Sequence, residues 1–349
     1  MNYFDKVIEQ RKGHIAFDVP LWSALYQAHP ALTDTSDANL KSRLIGIEKN
    51  IQFLNSSASW NDAMSAEYGW QSPWWWFRAR QFTLSEFERR GMVSHPVEDI
   101  GSQTSLHRDY LRRRKPLAVR ISKMPYLFDL LNGKIRFGAA SGYTDPTLQE
   151  SQQDDEISRD TFLSGSLATI TIENGVSRPL TGEIRFSASR THSAKGKTTV
   201  CPYWILCFST ELDARLLEDF HDENPQEQGF FVLFDVEKFH RRVAEAVQPP
   251  DLICGRVEVD YYDEHFPPSW GEGQFHVIGL KPFRFAYQRE LRFYLHPNGY
   301  ATHSPSSHVW LQTEKMNDIA GVYNLMGEKE AGAGPNSLFS DNKSINSIS

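Results

Sequence analysis

The chain has 349 residues, of which 40% are hydrophobic and 23% charged, and its formal net charge is −7. This length can bury one large core or two ordinary ones, and the negative balance excludes a global attraction to nucleic acid or to anionic membranes. No stretch approaches the ~18 apolar residues of a membrane span, and no basic segment followed by an apolar run opens the chain, so a cytoplasmic protein without membrane contact is expected.

Residues 1–105 read as a helical, Trp-rich region. Val19 to Ala28 suits a helix with Pro20 in its first turn. Leu40, Leu44, Ile47, Ile51 and Leu54 recur at spacings of three and four, which is one apolar stripe on a helix. Six of the nine Trp fall before residue 77, including Trp74, Trp75 and Trp76 in succession. Three consecutive indoles cannot all enter one core from one helix. At least one is therefore expected at an inter-domain seam or against a partner or ligand. The basic run His107 to Lys115 ends at Pro116 and reads as a solvated helix face or linker.

From 116 to 325 the texture changes to a body of strands and helices. Leu117 to Ile121 reads as a strand carrying Arg120, Met124 to Leu131 as a short helix stopped by Asn132-Gly133, and Ile135 to Phe137 as a strand carrying Arg136. Gly142 to Pro146 is a turn holding Tyr143, followed by the acids Asp154, Asp155 and Glu156. Adjacent acids diverge in direction, so they read as a solvated loop rather than a magnesium site. Ala168 to Ile172 and Glu183 to Phe186 read as a strand pair, and Arg190 to Lys197 as a polar loop. Val200 to Phe208 is a near-continuous apolar run, a strand buried on both faces, ending at Ser209, Thr210 and Glu211. Those last residues also suit an N-cap for a helix from Leu212 to Asp219. Phe230 to Phe234, Cys254 to Tyr262 and His308 to Leu311 are further strands, with an amphipathic helix from Val236 to Val247. Residues 326–349 are rich in Gly, Ser and Asn and read as a disordered tail.

More strands than helices, without a β-α-β rhythm, indicate an α+β body rather than a doubly wound sheet. No glycine-rich dinucleotide fingerprint and no P-loop signature is present. The three cysteines, Cys201, Cys207 and Cys254, form no C-x-x-C pair and read as small apolar residues. His221, His240 and His276 lack a second ligand at helical spacing, so no metal site is expected.

The stretch from Tyr287 to Leu295 carries the chemistry. Read as one extended strand, it places Gln288, Glu290, Arg292 and Tyr294 on one face. An amide and a carboxylate then stand about 6.6 Å apart, a pair that can stabilise a cationic sugar and orient an acceptor. The plainer reading is a polar sheet face with Glu290 paired to Arg292 or Arg289.

Arg120 on an early strand, Ser209-Thr210 at the end of a middle strand and Gln288-x-Glu290 on a late strand follow one another in an order that resembles the ADP-ribosyltransferase superfamily with an Arg-Ser-Glu triad. The layout around Arg120 to Pro146 also resembles a group of poorly characterised bacterial proteins of that superfamily. The resemblance spans residues 115 to 300, and the family's Ser-Thr-Ser stands here as Ser-Thr-Glu. It implies a mixed split β-sandwich and an NAD-dependent glycosyltransferase that moves ADP-ribose onto a macromolecular acceptor, protein or nucleic acid, as a bacterial toxin or antiviral defence effector. Glu290 would stabilise the oxocarbenium-like transition state at the nicotinamide ribose. Ser209 would position that carboxylate or the ribose, and Gln288 would meet the acceptor. Arg120, or Arg136 in its place, would bind the NAD diphosphate beside Thr210, with Tyr143 or Phe137 stacked on nicotinamide. The toxin role implied by the resemblance would pair the Trp-rich region with an antitoxin or regulatory protein. The alternative is a non-catalytic module that binds a partner through that region.

Overall fold

The structure, a computed structural model, describes residues 18–53, 73–94, 118–148, 154–165, 169–171, 177–189, 191–194, 197–210, 216, 220, 227–247, 252–266, 277–297 and 308–338. Three helices open it: α1 (Val19–Ala28), α2 (Asp37–Phe53) and α3 (Pro73–Arg90). The Asp18 carboxylate caps α1 by accepting the Leu21 N–H at 3.0 Å, and Pro20 occupies the first turn, where no helical bond is lost. Leu40, Leu44, Ile47 and Ile51 of α2 are all buried, as their spacing requires.

The body follows in the order β1 (Ala118–Lys123), α4 (Met124–Leu131), β2 (Lys134–Ala139), β3 (Ser158–Ser164), β4 (Thr169–Thr171), β5 (Ser177–Pro179), β6 (Glu183–Ser189), β7 (Thr191–Ala194), β8 (Lys197–Val200) and β9 (Trp204–Ser209). It continues with β10 (Gln228–Leu233), α5 (Val236–Ala246), β11 (Leu252–Glu258), β12 (Asp260–Tyr262), β13 (Leu280–Pro282), β14 (Glu290–Pro297), β15 (His308–Gln312), β16 (Ala320–Asn324) and β17 (Lys329–Gly332). The protein is therefore α+β, with N-terminal helices followed by a large antiparallel sheet. Nine strands form that sheet, in the order β11-β14-β9-β1-β10-β16-β17, with β2 and β15 branching from β9.

One face of the sheet carries the main core. Leu206 and Phe208 of β9 and Leu291, Phe293 and Leu295 of β14 pack there with Phe231 and Leu233 of β10, under α4 and α5. Phe208 meets Phe239 of α5 and Phe293 edge-on, at 5.7 and 5.6 Å between centroids. Each such side chain contributes about 1.5–3 kcal/mol by leaving water. The end of α4 is set by Gly133, whose φ is +81°. A Cβ there would also come within 2.4 Å of the Thr313 carbonyl oxygen, so the position needs glycine twice over.

The helices dock on the body rather than standing apart. Trp22, Ile47, Ile51, Trp76 and Phe77 share an apolar cluster with Phe283 and Ala286, which belong to the 3₁₀ turn Phe283–Gln288. Trp75 and Trp76 both lie against Phe283, at 5.9 and 5.7 Å, so these two indoles form a seam between helices and body. The side chain of Trp74 and the basic run from His107 to Lys115 lie outside the described residues. Across the same seam Arg43 of α2 makes a fully buried bidentate pair with Asp263, at 2.6 and 2.7 Å.

Several expectations are corrected. Ala168–Ile172 and Glu183–Phe186 do not pair with each other: β4 pairs with β5, and β6 pairs with β3, a strand whose polar sequence hid it. The polar segment at 190–197 is not a loop throughout: it holds β7 and the first residue of β8, and the two strands pair antiparallel. The tail does not begin at residue 326, since β17 extends the sheet through β16; residues 339–349 lie outside the described part. Every pairing in the nine-stranded sheet is antiparallel, and the parallel pair is the small β12–β13 ladder.

Removing one partner of a buried ion pair strands the other. Arg43→Ala, which leaves the buried Asp263 carboxylate without that cation and with the His265 backbone N–H at 3.0 Å, is expected to cost about 3–5 kcal/mol of unfolding free energy. Urea denaturation followed by tryptophan fluorescence measures this, and a loss under about 1 kcal/mol would show that the pair does not hold the helices in place.

Candidate functional site

The site is built where the sheet forks. One edge of β9 pairs with β14 along its whole length, from Trp204 opposite Leu295 to Ser209 opposite Glu290. The other edge is shared: Ser209 pairs with Val119 of β1, whereas Trp204 and Ile205 pair with Ala139 and Gly138 of β2. Between those contacts Leu206, Cys207 and Phe208 have no strand partner on that edge among the described residues. The Arg120 guanidinium fills the gap, donating from Nη1 to the Cys207 carbonyl at 2.8 Å. An unpaired carbonyl in a sheet edge needs such a donor.

A cavity of about 430 Å³ opens over this fork, within the range of small-molecule sites. Arg120, Arg136, Tyr143, Ser209, Gln288 and Glu290 all line it. They come from β1, β2, the turn after β2, the end of β9, the 3₁₀ turn and the start of β14. Two expected site residues do not. Phe137 is fully buried in the main core, because it alternates with the outward Arg136 on β2. Thr210 turns to the backbone, its N–H and Oγ1 both donating to the Arg289 carbonyl, at 2.7 and 3.1 Å.

Gln288 and Glu290 meet in a way the sequence pattern did not foresee. The segment from Tyr287 to Leu295 is not one strand: Gln288 ends the 3₁₀ turn, and Arg289 sits in the left-handed region with φ 46° and ψ 59°. It is the one non-glycine residue with positive φ among the described residues, a conformation costing on the order of 1–3 kcal/mol. The turn exists because Phe283, Phe285, Ala286 and Tyr287 are all drawn into apolar contacts. The two bonds from Thr210 to the Arg289 carbonyl then hold the return to the strand. The juxtaposition of Gln288 and Glu290 is made by Lys281, whose Nζ donates to Gln288 Oε1 and Glu290 Oε2, both at 3.0 Å.

Glu290, 6% exposed, is held from several sides. Arg292 Nε donates to its Oε1 at 2.8 Å, and its backbone N–H donates to the Tyr261 hydroxyl oxygen at 2.8 Å. Burial alone would push its carboxyl up, but Arg292 and Lys281 outweigh burial and hold it well below the usual carboxylate range. Burial would likewise lower Lys281, yet Glu290, Glu156 and Asp154 raise it, so the ammonium stays charged. Burial and the Glu290 carboxylate push the Cys207 thiol well up, which keeps it neutral beside that carboxylate. Arg292 also reaches Glu156 Oε1 at 2.6 Å and the Ile278 carbonyl at 2.8 Å. Glu156 receives Arg159 on its other oxygen at 2.5 Å. The acids expected in a solvated loop are therefore split: Asp154 and Glu156 are buried and Asp155 is exposed. No group of residues able to hold a metal ion occurs among the described residues.

The sequence reading missed Lys281, Glu156, Lys134, Tyr126 and Trp310, all of which line the cavity. Glu156 and Arg159, three apart and oppositely charged, were a local signal for pairing. Lys281 gave none, since only the 3₁₀ turn returns it to Gln288 and Glu290. The helix expected from Leu212 to Asp219 lies mostly outside the described residues, as do Glu211, His221 and His276. Comparison of the chain with protein-family models, with curated proteins and with solved structures returns no match.

A carboxyl whose folded pKa lies below the unfolded value of about 4.3 makes stability rise with pH, because the unfolded chain takes up the proton first. That contribution is present above the unfolded value and is lost as pH falls toward the folded one. Melting curves between about pH 3 and 7 should show wild type more stable than Glu290→Gln at neutral pH, with the gap closing in acid. A gap independent of pH would contradict the assignment of Glu290 as a buried anion.

Proposed function

We propose that the fork of the sheet binds NAD and that the chain is an ADP-ribosyltransferase built on a split β-sandwich, with a macromolecular acceptor. The observation that carries this reading is the convergence of Arg120, Ser209, Gln288 and Glu290, from four separate elements, on one cavity at the unpaired edge of β9.

In this reading the bond between the ribose C1′ and the nicotinamide nitrogen breaks, and its electron pair neutralises the pyridinium. The positive charge that develops on the ribose meets the fixed Glu290 carboxylate. An acceptor nucleophile then bonds to C1′ and releases its proton to solvent. Glu290 is suited to the charge and not to the proton, because Arg292 and Lys281 keep it ionised far into acid. Ser209 shares the sheet register with Glu290 and borders the ribose. Gln288 has its carbonyl oxygen occupied by Lys281 and its Nε2 3.5 Å from the Tyr287 hydroxyl; in this reading an amide N–H turns from that weak contact to the acceptor. Arg120 and Arg136 supply the planar, charged forks that a diphosphate needs.

A second reading is favoured by one observation, the double cationic pairing of Glu290: the cavity binds a ligand, and Glu290 serves only the ion cluster. Of the N-terminal indoles, the described side chains of Trp22 and Trp76 are buried and that of Trp75 lies in the seam, so a partner surface made of indoles would rest on Trp60, Trp70 and Trp74, whose side chains lie outside the described residues.

Nicotinamide release from NAD by the purified protein separates the readings. The transferase reading expects release by wild type, with cell lysate supplying an acceptor. Glu290→Gln should lower kcat on the order of a hundredfold, and Arg120→Ala should act mainly on KM. NAD binding without release, with Glu290→Gln altering only stability, would leave the second reading in place.

A further inference from the structure

The outer wall of the cavity has a composition that the chemistry at Glu290 does not use. β2 and β15 pair so that Trp310 stands opposite Arg136. Trp310 is 43% exposed although it lines a cavity, and Tyr126 of α4, also in the wall, is 55% exposed. Lys134 Nζ lies 4.8 Å from the Trp310 ring centroid. It is tethered to Asp129 at 3.1 Å, and both partners are exposed, so the tether is weak and the ammonium can be drawn to another anion. Two large aromatic rings left open beside the cations of Lys134 and Arg136 are costly in water and well matched to a flat heteroaromatic ring bearing phosphate.

The sheet register fixes where this patch lies. Gly138 stands opposite Ile205, so Arg136, two residues earlier in an antiparallel strand, is level with Cys207, whose carbonyl Arg120 caps. Arg120 and Arg136 therefore flank the fork from its two sides. Trp310 is one strand further out on β15, and Glu290 is one strand away on the opposite side of β9. From Glu290 to Trp310 the path crosses β9 and β2, three interstrand steps of ~4.8 Å across and two residues, ~6.6 Å, along the strands, or about 16 Å. A dinucleotide laid along it places one ribose at Glu290, its diphosphate between the arginines and its second base at Trp310.

We propose that Trp310, with Tyr126, Lys134 and Arg136, is the subsite for a purine nucleoside phosphate, reading the adenosine end of the ligand. This placement rests on the NAD reading for the orientation of the whole ligand, whereas the base subsite itself stands on the β2–β15 wall alone.

The test titrates AMP, adenosine, nicotinamide mononucleotide and NAD separately into wild type, Trp310→Ala, Trp310→Phe and Lys134→Ala by calorimetry, with nicotinamide release measured on the same samples. AMP is expected to bind wild type and to lose about tenfold or more in affinity in Trp310→Ala, with nicotinamide mononucleotide unchanged. Trp310→Phe should restore most of the loss, because a ring face is what the subsite requires. Lys134→Ala should weaken AMP and leave adenosine unaffected. Absence of AMP binding to wild type, or equal AMP affinity in wild type and Trp310→Ala, would overturn the subsite. Release of nicotinamide with an unchanged KM for NAD in Trp310→Ala would overturn it too, while the transferase reading stands. AMP binding that depends on Trp310, without nicotinamide release, would uphold the subsite and remove the transferase reading.

Discussion

The guanidinium of Arg292 is the fixed point of this molecule. It is fully buried and spends its donors on Glu290, Glu156 and the Ile278 carbonyl. A cation taken out of water costs several kcal/mol unless such partners surround it, so the segments that carry them are not free to move independently. Glu156 brings in Arg159, which in turn holds the Leu280 carbonyl at 2.6 Å. That contact sets the strand bearing Lys281, and Lys281 sets Gln288 against Glu290. The polar wall of the cavity is thus the outer edge of a buried ion network rather than a set of separately placed residues.

The fork of the sheet supplies the space that this network borders. Had β2 followed β1 as the neighbour of β9 throughout, the edge at Leu206–Phe208 would be paired and no cavity would open there. β9 instead divides that edge between two strands joined by α4, and Arg120 satisfies the carbonyl left between them. The site and the irregularity of the sheet are the same feature. The strained Arg289 belongs to this economy as well, since the left-handed residue is what lets a buried turn deliver Glu290 to the first position of β14.

Much of the fold was legible because its signals are local. Apolar spacing marked α2, Asn132-Gly133 marked the end of α4, and the apolar run before Ser209 marked β9. Arg120, Arg136, Tyr143, Ser209, Gln288 and Glu290 could be picked out by residue type and order, and the cavity gathers all six. What escaped was long-range. Period-two alternation ran smoothly through Arg289, because nothing in its side chain announces a positive φ. Phe137 and Thr210 were of suitable type, but strand parity turned one into the core and a backbone carbonyl claimed the other. Lys281 is seven and nine residues from Gln288 and Glu290 but meets them only because the chain turns back on itself, and Trp310 lies far along the chain from Arg136, which it faces; no periodicity announces either contact. Of the acids at 154–156 only Asp155 is solvated; Glu156 and Asp154 pair with the nearby Arg159, and the second cation on Glu156, Arg292, comes from β14, where no local pattern could announce it.

The most direct measurement is a crystal structure of the protein with a non-cleavable carba analogue of NAD. The account predicts the ribose C1′ position about 3–4 Å from the Glu290 carboxylate and the diphosphate between Arg120 and Arg136. An analogue bound elsewhere, or bound in the fork with its ribose turned away from Glu290, would contradict it.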